Sequence, residues 1–283
     1  MKTNVIIFLS LLVISIVGIL FYFVFLPYLD NKHYQEGIRR ISKFREVKKK
    51  DEMFNFIKKY YINLDRSLDR KESIEEEFRL YGITNYERVA ACDGKNLKST
   101  KEGDFGDIKF KAPNDKKSSI REIATTCSHI KAIKKAYDNG DELAIIMEDD
   151  TKFTLMPYWD KELKELIDDL PDNWEIFRLI SGFNDSLINL KKILNLDIYD
   201  KNQEIKKNKY NFSAVCYIIN RKGMENMLNL LYKEDFIFLE DKKNLIDINI
   251  FPKFEVYETK KNLFLFDSFE LTSTIYNRNL YYD

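Results

Sequence analysis

Three consecutive acidic residues, Glu148, Asp149 and Asp150, follow an unbroken apolar run at 143–147. Such a run is typical of a central strand covered on both faces. Ligands of open α/β sheets bind beyond the carboxyl ends of these strands. Crowded carboxylates raise each other's pKa, and a hard divalent cation such as Mn²⁺ or Mg²⁺ would relieve their repulsion. The spacing therefore indicates a metal site, with an acidic loop that caps a later helix as the alternative.

A second group of polar residues follows the first predicted strand, which spans 57–64. The residues that could hold a nucleotide or its phosphates are Asn63, Asp65, Arg66 and Arg70. Arginine forms paired hydrogen bonds with phosphate oxygens. The alternative role for Arg66 and Arg70 is a surface ion-pair loop.

Two isolated titratable residues are candidates for acid–base chemistry. Asp247 lies among apolar residues at 245–250, where a carboxylate is more often hydrogen-bonded or metal-adjacent than idle. Its alternative role is a helix N-cap. His129 points away from the apolar stripe of Ile123 and Cys127, so burial of that stripe does not explain it. It could act in catalysis or pack on the other side of its helix.

The pattern of strand, helix and strand that positions these residues is typical of an α/β sheet. The predicted strands are 57–64, 86–91, 143–147, 174–180 and 212–220. The predicted helices are 67–81, 120–138 and 221–231, with an amphipathic stretch at 159–170. Ser118 and Ser119 can cap the second of these helices, and Asn139-Gly140 ends it. Residues 95–117 read as a flexible loop and 184–210 as a polar excursion.

Composition and missing motifs exclude several classes of protein. The 283 residues carry 46 Lys and Arg against 46 Asp and Glu, and this balance argues against a general nucleic-acid binder. With 45% hydrophobic residues and only nine Gly and five Pro, the chain is not wholly disordered or collagen-like. No GxGxxG, Walker, HExxH or GxSxG motif occurs, which disfavours the usual dehydrogenases, P-loop ATPases, zinc proteases and serine hydrolases.

The three cysteines, Cys92, Cys127 and Cys216, are widely separated and form no CxxC pair. This spacing argues against a structural zinc site and against a disulfide framework. We therefore expect buried free thiols.

The N-terminus contains 22 consecutive uncharged residues, 5–26, followed by Pro27. As a helix this run would rise about 33 Å, enough to cross a hydrocarbon core. It is too long for the apolar region of a signal peptide and lacks a typical cleavage site. We expect a single-pass anchor within 1–29, a basic stem at 30–53 and one domain at 54–283.

The domain portion resembles glycosyltransferase family 25, which includes bacterial lipooligosaccharide galactosyltransferases and procollagen galactosyltransferases. Six short motifs carry the resemblance in the family's order. They are YINLDR at 61–66 with DR at 69–70, ACDG at 91–94, EI through SHI at 122–130, IIMEDD at 145–150, YIINRKG at 217–223 and ID at 246–247. The chain departs from the pattern at Arg121, where a glycine is usual, and at Ala124-Thr125, which replace Gly-Cys. The departures bear on local packing or acceptor access more than on metal binding.

The resemblance implies a GT-A-like nucleotide-binding α/β sandwich with a mostly parallel central sheet. The implied reaction moves a hexose, galactose in the family's best-known members, from a UDP-sugar to an acceptor hydroxyl on a glycan, lipid or protein. Glu148 and Asp150 would then hold Mn²⁺ or Mg²⁺, which neutralises the departing diphosphate. Asp93 and Gly94 would join the nucleotide-binding residues.

An inverting reaction needs a base for the acceptor hydroxyl, and the catalytic candidates are Asp149 and Asp247. Two rival functions stay open. One is a catalytically silent relative that binds sugar nucleotides, against which the intact acidic triplet speaks. The other is a metal-dependent nucleotidyltransferase or phosphohydrolase on a similar sheet.

Two arguments about membrane orientation conflict. Seven basic residues and one acid between Arg39 and Lys50 favour the cytosol, although the same stem could lie on anionic lipid. The resemblance to secretory-pathway enzymes favours the Golgi or endoplasmic reticulum lumen in a eukaryotic host, and we expect this orientation. Glycosylation of the sequon at Asn184, rather than of the one at Asn211 in a predicted strand, would then follow.

Overall fold

The computed structural model describes residues 51–114, 118–156, 159, 161–180, 205–207, 213–239, 243–259 and 262–266. The predicted anchor, the stem up to residue 50 and the sequon asparagines Asn184 and Asn211 lie outside these ranges. Within the ranges, the helices are all too short or too polar to cross a membrane.

The described residues alternate between helices and short strands. Helices α1 to α5 span Glu52–Phe56, Leu68–Leu80, Ile120–Asp138, Leu163–Asp168 and Arg221–Leu231. Two 3-10 helices span Gly94–Asn96 and Phe251–Lys253, and a π-helix spans Ile246–Ile250. Strands β1 to β7 span Lys58–Asn63, Tyr86–Ala90, Glu102–Asp104, Lys109–Lys111, Leu143–Glu148, Thr151–Lys152 and Ile176–Arg178. Strands β8 to β13 span Ile205–Lys207, Cys216–Asn220, Tyr232–Lys233, Phe236–Phe238, Val256–Thr259 and Leu265–Phe266.

Seven strands form the central sheet, in the order β2-β1-β5-β9-β7-β12-β8. Strands β1, β2, β5, β7 and β12 run in one direction, whereas β8 and β9 run against their neighbours. The expected α/β fold with a largely parallel central sheet is confirmed. As a result, the carboxyl ends of β1, β2, β5 and β7 share one edge of the sheet with the amino end of β9.

Apolar side chains cover both faces of this sheet, which explains the unbroken apolar run of β5. Ala144 and Ile146 join the cluster packed under α3 and α5, whereas Ile145 and Met147 join the cluster under α1, α2 and α4. Successive strand residues point to opposite faces of the sheet. Because helices cover both faces, every side chain in the middle of β5 is buried and apolar. The result is a three-layer sandwich.

The start of α3 is fixed by a capping box. The Ser119 hydroxyl accepts a hydrogen bond from the Glu122 backbone N–H, and the Glu122 carboxylate accepts one from the Ser119 N–H. These reciprocal bonds satisfy backbone donors that the first helical turn leaves unpaired. Beyond the other end, Gly140 has a φ of 79°, a left-handed conformation that favours glycine. The predicted limits of this helix are confirmed.

The prediction of a flexible loop at 95–117 is wrong. Strands β3 and β4 form a hairpin there, and β4 pairs in parallel with β11 in a second sheet of order β10-β11-β4-β3. Ile108, Phe110 and Ala112 are buried against the main core. The hairpin forms because these apolar side chains are spaced two residues apart and find a partner strand more than 100 residues away.

The expectation of buried free thiols is confirmed for all three cysteines. Burial raises the pKa of Cys92 to about 12, so at neutral pH it stays a protonated, weakly nucleophilic thiol.

The residues just before β1 are bound into the core. The Asp51 carboxylate accepts hydrogen bonds from the backbone N–H groups of Phe54 at 2.8 Å and Leu163 at 2.7 Å. The fully buried Phe54 ring contacts Phe153 and Phe264, with centroids 5.6 and 5.3 Å away. These contacts join the end of the predicted stem to the folded domain.

A chain truncated to begin at Asp51 is therefore expected to be soluble and to unfold cooperatively, whereas one that begins at Lys58 should be less stable by about 3–5 kcal/mol or more. The shorter chain loses a buried Phe ring together with the Asp51 bonds. Urea unfolding of both chains measures the difference. Equal stability would show that α1 contributes nothing to the domain.

Lys59 is a buried basic residue near the start of β1. Its side chain is fully buried, its ammonium donates to the carbonyls of Phe54 and Ile57, and burial lowers its pKa to about 7. In the unfolded chain a lysine titrates near about 10.4. Between these pH values the unfolded state binds more protons, so the free energy of unfolding should rise with pH.

We expect Lys59→Met to abolish this rise, which is at most about 1.4 kcal/mol per pH unit. Unfolding titrations at several pH values between 7 and 10 provide the measurement. Lys58→Met is the matched control, because the pKa of Lys58 is raised by its hydrogen bond to Glu87. The control should keep the wild-type slope; the same slope in Lys59→Met would contradict the prediction.

Candidate active site

The acidic residues lie at the end of β5, which Glu148 completes, and in the two-residue turn that leads to β6. The backbone N–H of Glu148 donates to the Val215 carbonyl at 2.8 Å, and the Thr151 hydroxyl donates to the Glu148 carbonyl at 2.9 Å. β6 then pairs with β13. These bonds hold the three carboxylates at the carboxyl edge of the sheet, where the sequence predicted them.

Arg70 neutralises part of this negative charge. Its guanidinium forms ion pairs with Asp149 and with Asp150, the latter at 3.0 Å, and its side chain is only 8% exposed. Burial acts to lower the pKa of Arg70, but the three carboxylates outweigh it and raise the pKa. Arg70 is thus an internal counterion for the turn.

Burial and mutual repulsion disturb the carboxylates despite this counterion. Burial, reinforced by the charge of Glu148, raises the pKa of Asp150 to about 8. The Oδ1 atom of Asp150 is buried and accepts no hydrogen bond. Burial also raises the pKa of Asp149, against the opposing effects of Arg70 and Asn63. Both aspartates of the turn therefore keep their protons more readily than an ordinary aspartate does.

Asn63 connects the end of β1 to this turn. Its side-chain amide donates to Asp149 Oδ2 at 2.7 Å and to the Ser67 carbonyl at 3.0 Å. Its Oδ1 accepts from Arg88 Nε at 3.0 Å, and Arg88 also pairs with Asp65 at 2.6 Å. Asn63 is buried, so it positions Asp149, whereas the side chain of Asp65 is 79% exposed on the loop.

Arg66 and Asp93 form a second, more exposed pair. Arg66 Nε donates to Asp93 Oδ2 at 2.7 Å and its terminal nitrogen to Oδ1 at 3.3 Å. The hydrogen bond from Arg66 lowers the pKa of Asp93, whose Oδ1 also accepts from the Lys95 N–H at 3.0 Å. Gly94 packs against α3 so closely that a Cβ there would lie 2.9 Å from the Ile120 side chain. This pair and this close packing shape one wall of a cavity.

The cavity has a volume of about 650 Å³ and opens between the carboxyl edge of the sheet and the start of α3. The predicted site residues in its wall are Arg66, Arg70, Asp93, Gly94, Glu148 and Asp149. The wall also contains His129, a candidate for acid–base chemistry, and four residues that the sequence did not predict as ligand-binding residues, Lys95, Arg121, Thr125 and Ser128. Asn63 and Asp150 lie behind the wall, bound to Asp149 and to Arg70 respectively.

The family follows from a comparison with known sequence families. The family described as glycosyltransferase family 25 (LPS biosynthesis protein) matches residues 56–242, well over half of the chain. The chain belongs to glycosyltransferase family 25. No curated protein sequence matches it. The match covers β1, the acidic turn and every residue in the cavity wall, and the largely parallel sheet fits the GT-A-like fold expected of this glycosyltransferase.

Asp247 lies apart from the wall of this glycosyltransferase's cavity. It is in the first turn of the π-helix rather than at its N-cap, which is Leu245. Its Oδ2 accepts from the Ser213 N–H at 2.9 Å, and its carbonyl accepts from Arg178 at 3.2 Å. The N-cap alternative is therefore wrong, and Asp247 supports the chain just before β9, where Ser213 has a φ of 108°.

Sequence reasoning did not predict a role for three residues that form hydrogen bonds with or next to the candidate site residues. Ser128 donates to the Ala124 carbonyl and accepts from the Cys92 N–H at 2.8 Å, which ties α3 to the loop after β2. Arg88 organises Asn63 and Asp65. Tyr217 contacts His129. Ser128 and Tyr217 fall inside quoted family motifs, so their motif positions were the available signal; Arg88 has no such signal beyond a charge near the end of a strand.

Proposed function

We propose that this glycosyltransferase transfers a hexose, galactose, from a UDP-sugar to an acceptor hydroxyl with inversion, and that Mn²⁺ or Mg²⁺ assists. The observation that carries the proposal is the cavity of about 650 Å³, whose wall combines carboxylates at the end of β5 with cationic side chains from α2, α3, the loop before α2 and the first 3-10 helix. Its volume lies in the range of cavities that hold small ligands. A nucleoside diphosphate bound with a divalent cation would match this wall in charge, because its phosphates would face the cationic side chains and its cation would face the carboxylates.

The carboxylates at the end of β5 have the charge that a divalent cation requires of its ligands. Asp150 Oδ1 has no hydrogen-bond partner, and burial, reinforced by the charge of Glu148, raises the pKa of Asp150 to about 8. A cation would favour the ionised form of this carboxylate. Among the described residues, no group of three or more His, Cys, Asp and Glu side chains is arranged to hold a metal. Mg²⁺ commonly uses only one or two carboxylates together with substrate phosphates. Glu148 and Asp150 would hold it, and it would supply charge neutralisation at the leaving diphosphate.

The protein's own residues account for the other requirements. Arg66, Lys95 and Arg121 place positive charge in the wall where phosphates would bind. Of the two proposed catalytic carboxylates, only Asp149 lines the cavity. Because burial raises the pKa of Asp149, it is a stronger base than an ordinary aspartate and suits the acceptor hydroxyl. Asp247 would serve only for an acceptor that approaches along the Ser213 side.

A donor screen that detects released UDP, with Mn²⁺ or with a chelator, tests this proposal. We expect turnover with UDP-galactose, loss of turnover with the chelator, and a mass gain of one hexose on a glycan acceptor. Binding without turnover would indicate a catalytically silent relative. Release of UMP or a sugar phosphate without a transferred sugar would indicate a nucleotidyltransferase or phosphohydrolase.

A further inference from the structure

His129 is buried between two partners that come from different strands. Its ring is 0% exposed and lies on α3. The Nδ1 atom is 3.2 Å from the hydroxyl oxygen of Tyr217 on β9, and the Nε2 atom is 3.4 Å from Oε1 of Glu148 at the end of β5. The three groups form a line that leads from the core to the cavity wall.

The chemistry of the two partners decides which nitrogen carries the proton. An ionised carboxylate has only acceptor atoms, so a hydrogen bond with Glu148 requires a proton on Nε2. A neutral imidazole then has a lone pair on Nδ1, which needs a donor. Tyr217 supplies one, because a tyrosine hydroxyl keeps its proton at neutral pH. The opposite tautomer would direct the Nε2 lone pair at the carboxylate.

We propose that His129 is a positioning residue for Glu148 and that Tyr217 holds its ring with a proton on Nε2 and none on Nδ1. Tyr217 donates to Nδ1, and Nε2–H donates to Glu148 Oε1. This inference deepens the proposed function and rests on it for the role of Glu148. It resembles the way in which outer hydrogen-bond partners fix the orientation of metal-binding side chains in other proteins.

The surroundings keep the line rigid. Tyr217 is fully buried, and its ring packs edge-to-face on Phe251 with centroids 5.0 Å apart. The Tyr217 and His129 rings are 5.8 Å apart and tilted by 30°. Glu148 is the most exposed of the three acidic side chains, at 23% against 9% for Asp149 and 17% for Asp150. A carboxylate this open to solvent has more freedom to rotate, so a fixed donor at Oε1 sets the direction of Oε2.

Nitrogen-15 NMR of the histidine side chains reads the tautomer directly and needs no substrate. The full chain has only two histidines, so the His33→Gln protein labelled with ¹⁵N-histidine reports His129 alone. We expect one protonated nitrogen, Nε2, and one unprotonated nitrogen, Nδ1. In Tyr217→Phe the loss of the donor should give a mixture of tautomers. A proton on Nδ1 in the parent protein, or an unchanged spectrum in Tyr217→Phe, would overturn the proposal.

Turnover of the UDP-sugar separates positioning from simple packing. We expect His129→Ala to lower metal-dependent turnover by about 10–100-fold, and His129→Gln, whose amide can donate in place of Nε2, to recover part of it. Tyr60→Phe is the matched control, because it removes from the same sheet a tyrosine hydroxyl that bonds to Asp141 and Asn139 rather than to a site residue. Turnover of the Tyr60→Phe protein should be unchanged. Equal losses in His129→Ala and His129→Gln would reject the positioning role. If no UDP-sugar is turned over, the proposed function fails, while NMR still decides the tautomer.

Discussion

Replacement of Arg70 by methionine is expected to lower the free energy of unfolding by about 3–5 kcal/mol and to abolish transfer. This is the usual cost of removing one partner of a buried ion pair, since the other charge stays buried. Here two carboxylates, Asp149 and Asp150, lose their counterion. Urea unfolding monitored by circular dichroism measures the loss.

The loss should depend on pH. The pKa of Asp150 in the folded protein, about 8, is already above the value near 3.9 of an unfolded aspartate. The folded state therefore binds more protons between about pH 4 and 8, and stability falls as the pH rises through this window. Without Arg70 the pKa values of Asp149 and Asp150 in the folded protein should rise further. Arg70→Met should therefore lose more stability at pH 8 than at pH 5.

Arg66→Met is the matched control, because Arg66 lies on the loop just before α2, four residues from Arg70, and pairs with one aspartate. Its side chain is 38% exposed, and exposed pairs contribute about 0–1 kcal/mol. Arg66→Met should therefore change stability little. Comparable destabilisation in the two variants, or no pH dependence in Arg70→Met, would show that Arg70 is not the internal counterion.

The second large effect is expected for Asp150→Asn, which should lower metal-dependent turnover by about 10²-fold or more without destabilising the protein. The amide removes a carboxylate that cannot ionise in the fold without cost, so the free energy of unfolding at pH 8 should be unchanged or higher. Turnover against Mn²⁺ concentration, together with urea unfolding, measures both effects.

Asp104→Asn controls for the loss of one negative charge, since Asp104 lies on β3 with a side chain 55% exposed. It should change neither turnover nor stability. An Asp150→Asn protein with the wild-type Mn²⁺ dependence would show that Asp150 does not hold the cation. A strongly destabilised protein would show that its pair with Arg70 outweighs the repulsion.

Local signals in the sequence predicted most of the elements around the site. The possible caps Ser118 and Ser119 predicted the start of α3, and the apolar run before Glu148 predicted a central strand with the acidic residues at its end. Both signals depend on neighbours within a few positions of the chain, where periodicity and capping chemistry are informative.

Features that depend on distant partners could not be predicted. The β3–β4 hairpin exists because β4 pairs with β11, and nothing near Phe110 specifies that partner. The direction of β9 could not be predicted either, because side chains alternate between the two faces in the same way in parallel and antiparallel strands. The ion pairs of Arg70 with two carboxylates some 80 residues away belong to the same class. In the sequence, charge alone did not distinguish the buried Arg70 from Arg66, which forms its ion pair at the surface.

The strand order of the central sheet has a consequence for synthesis of the chain. Strands β2, β1 and β5 can pair as soon as residue 148 has left the ribosome, but the other edge of β5 is covered only by β9, which ends at Asn220. At 5–20 residues per second, the intervening stretch of about 70 residues takes roughly 4–14 s to make. During that time the apolar β5 presents an open pairing edge, the kind that promotes aggregation. Production of this protein should therefore depend on chaperones that shield β5 until β9 arrives.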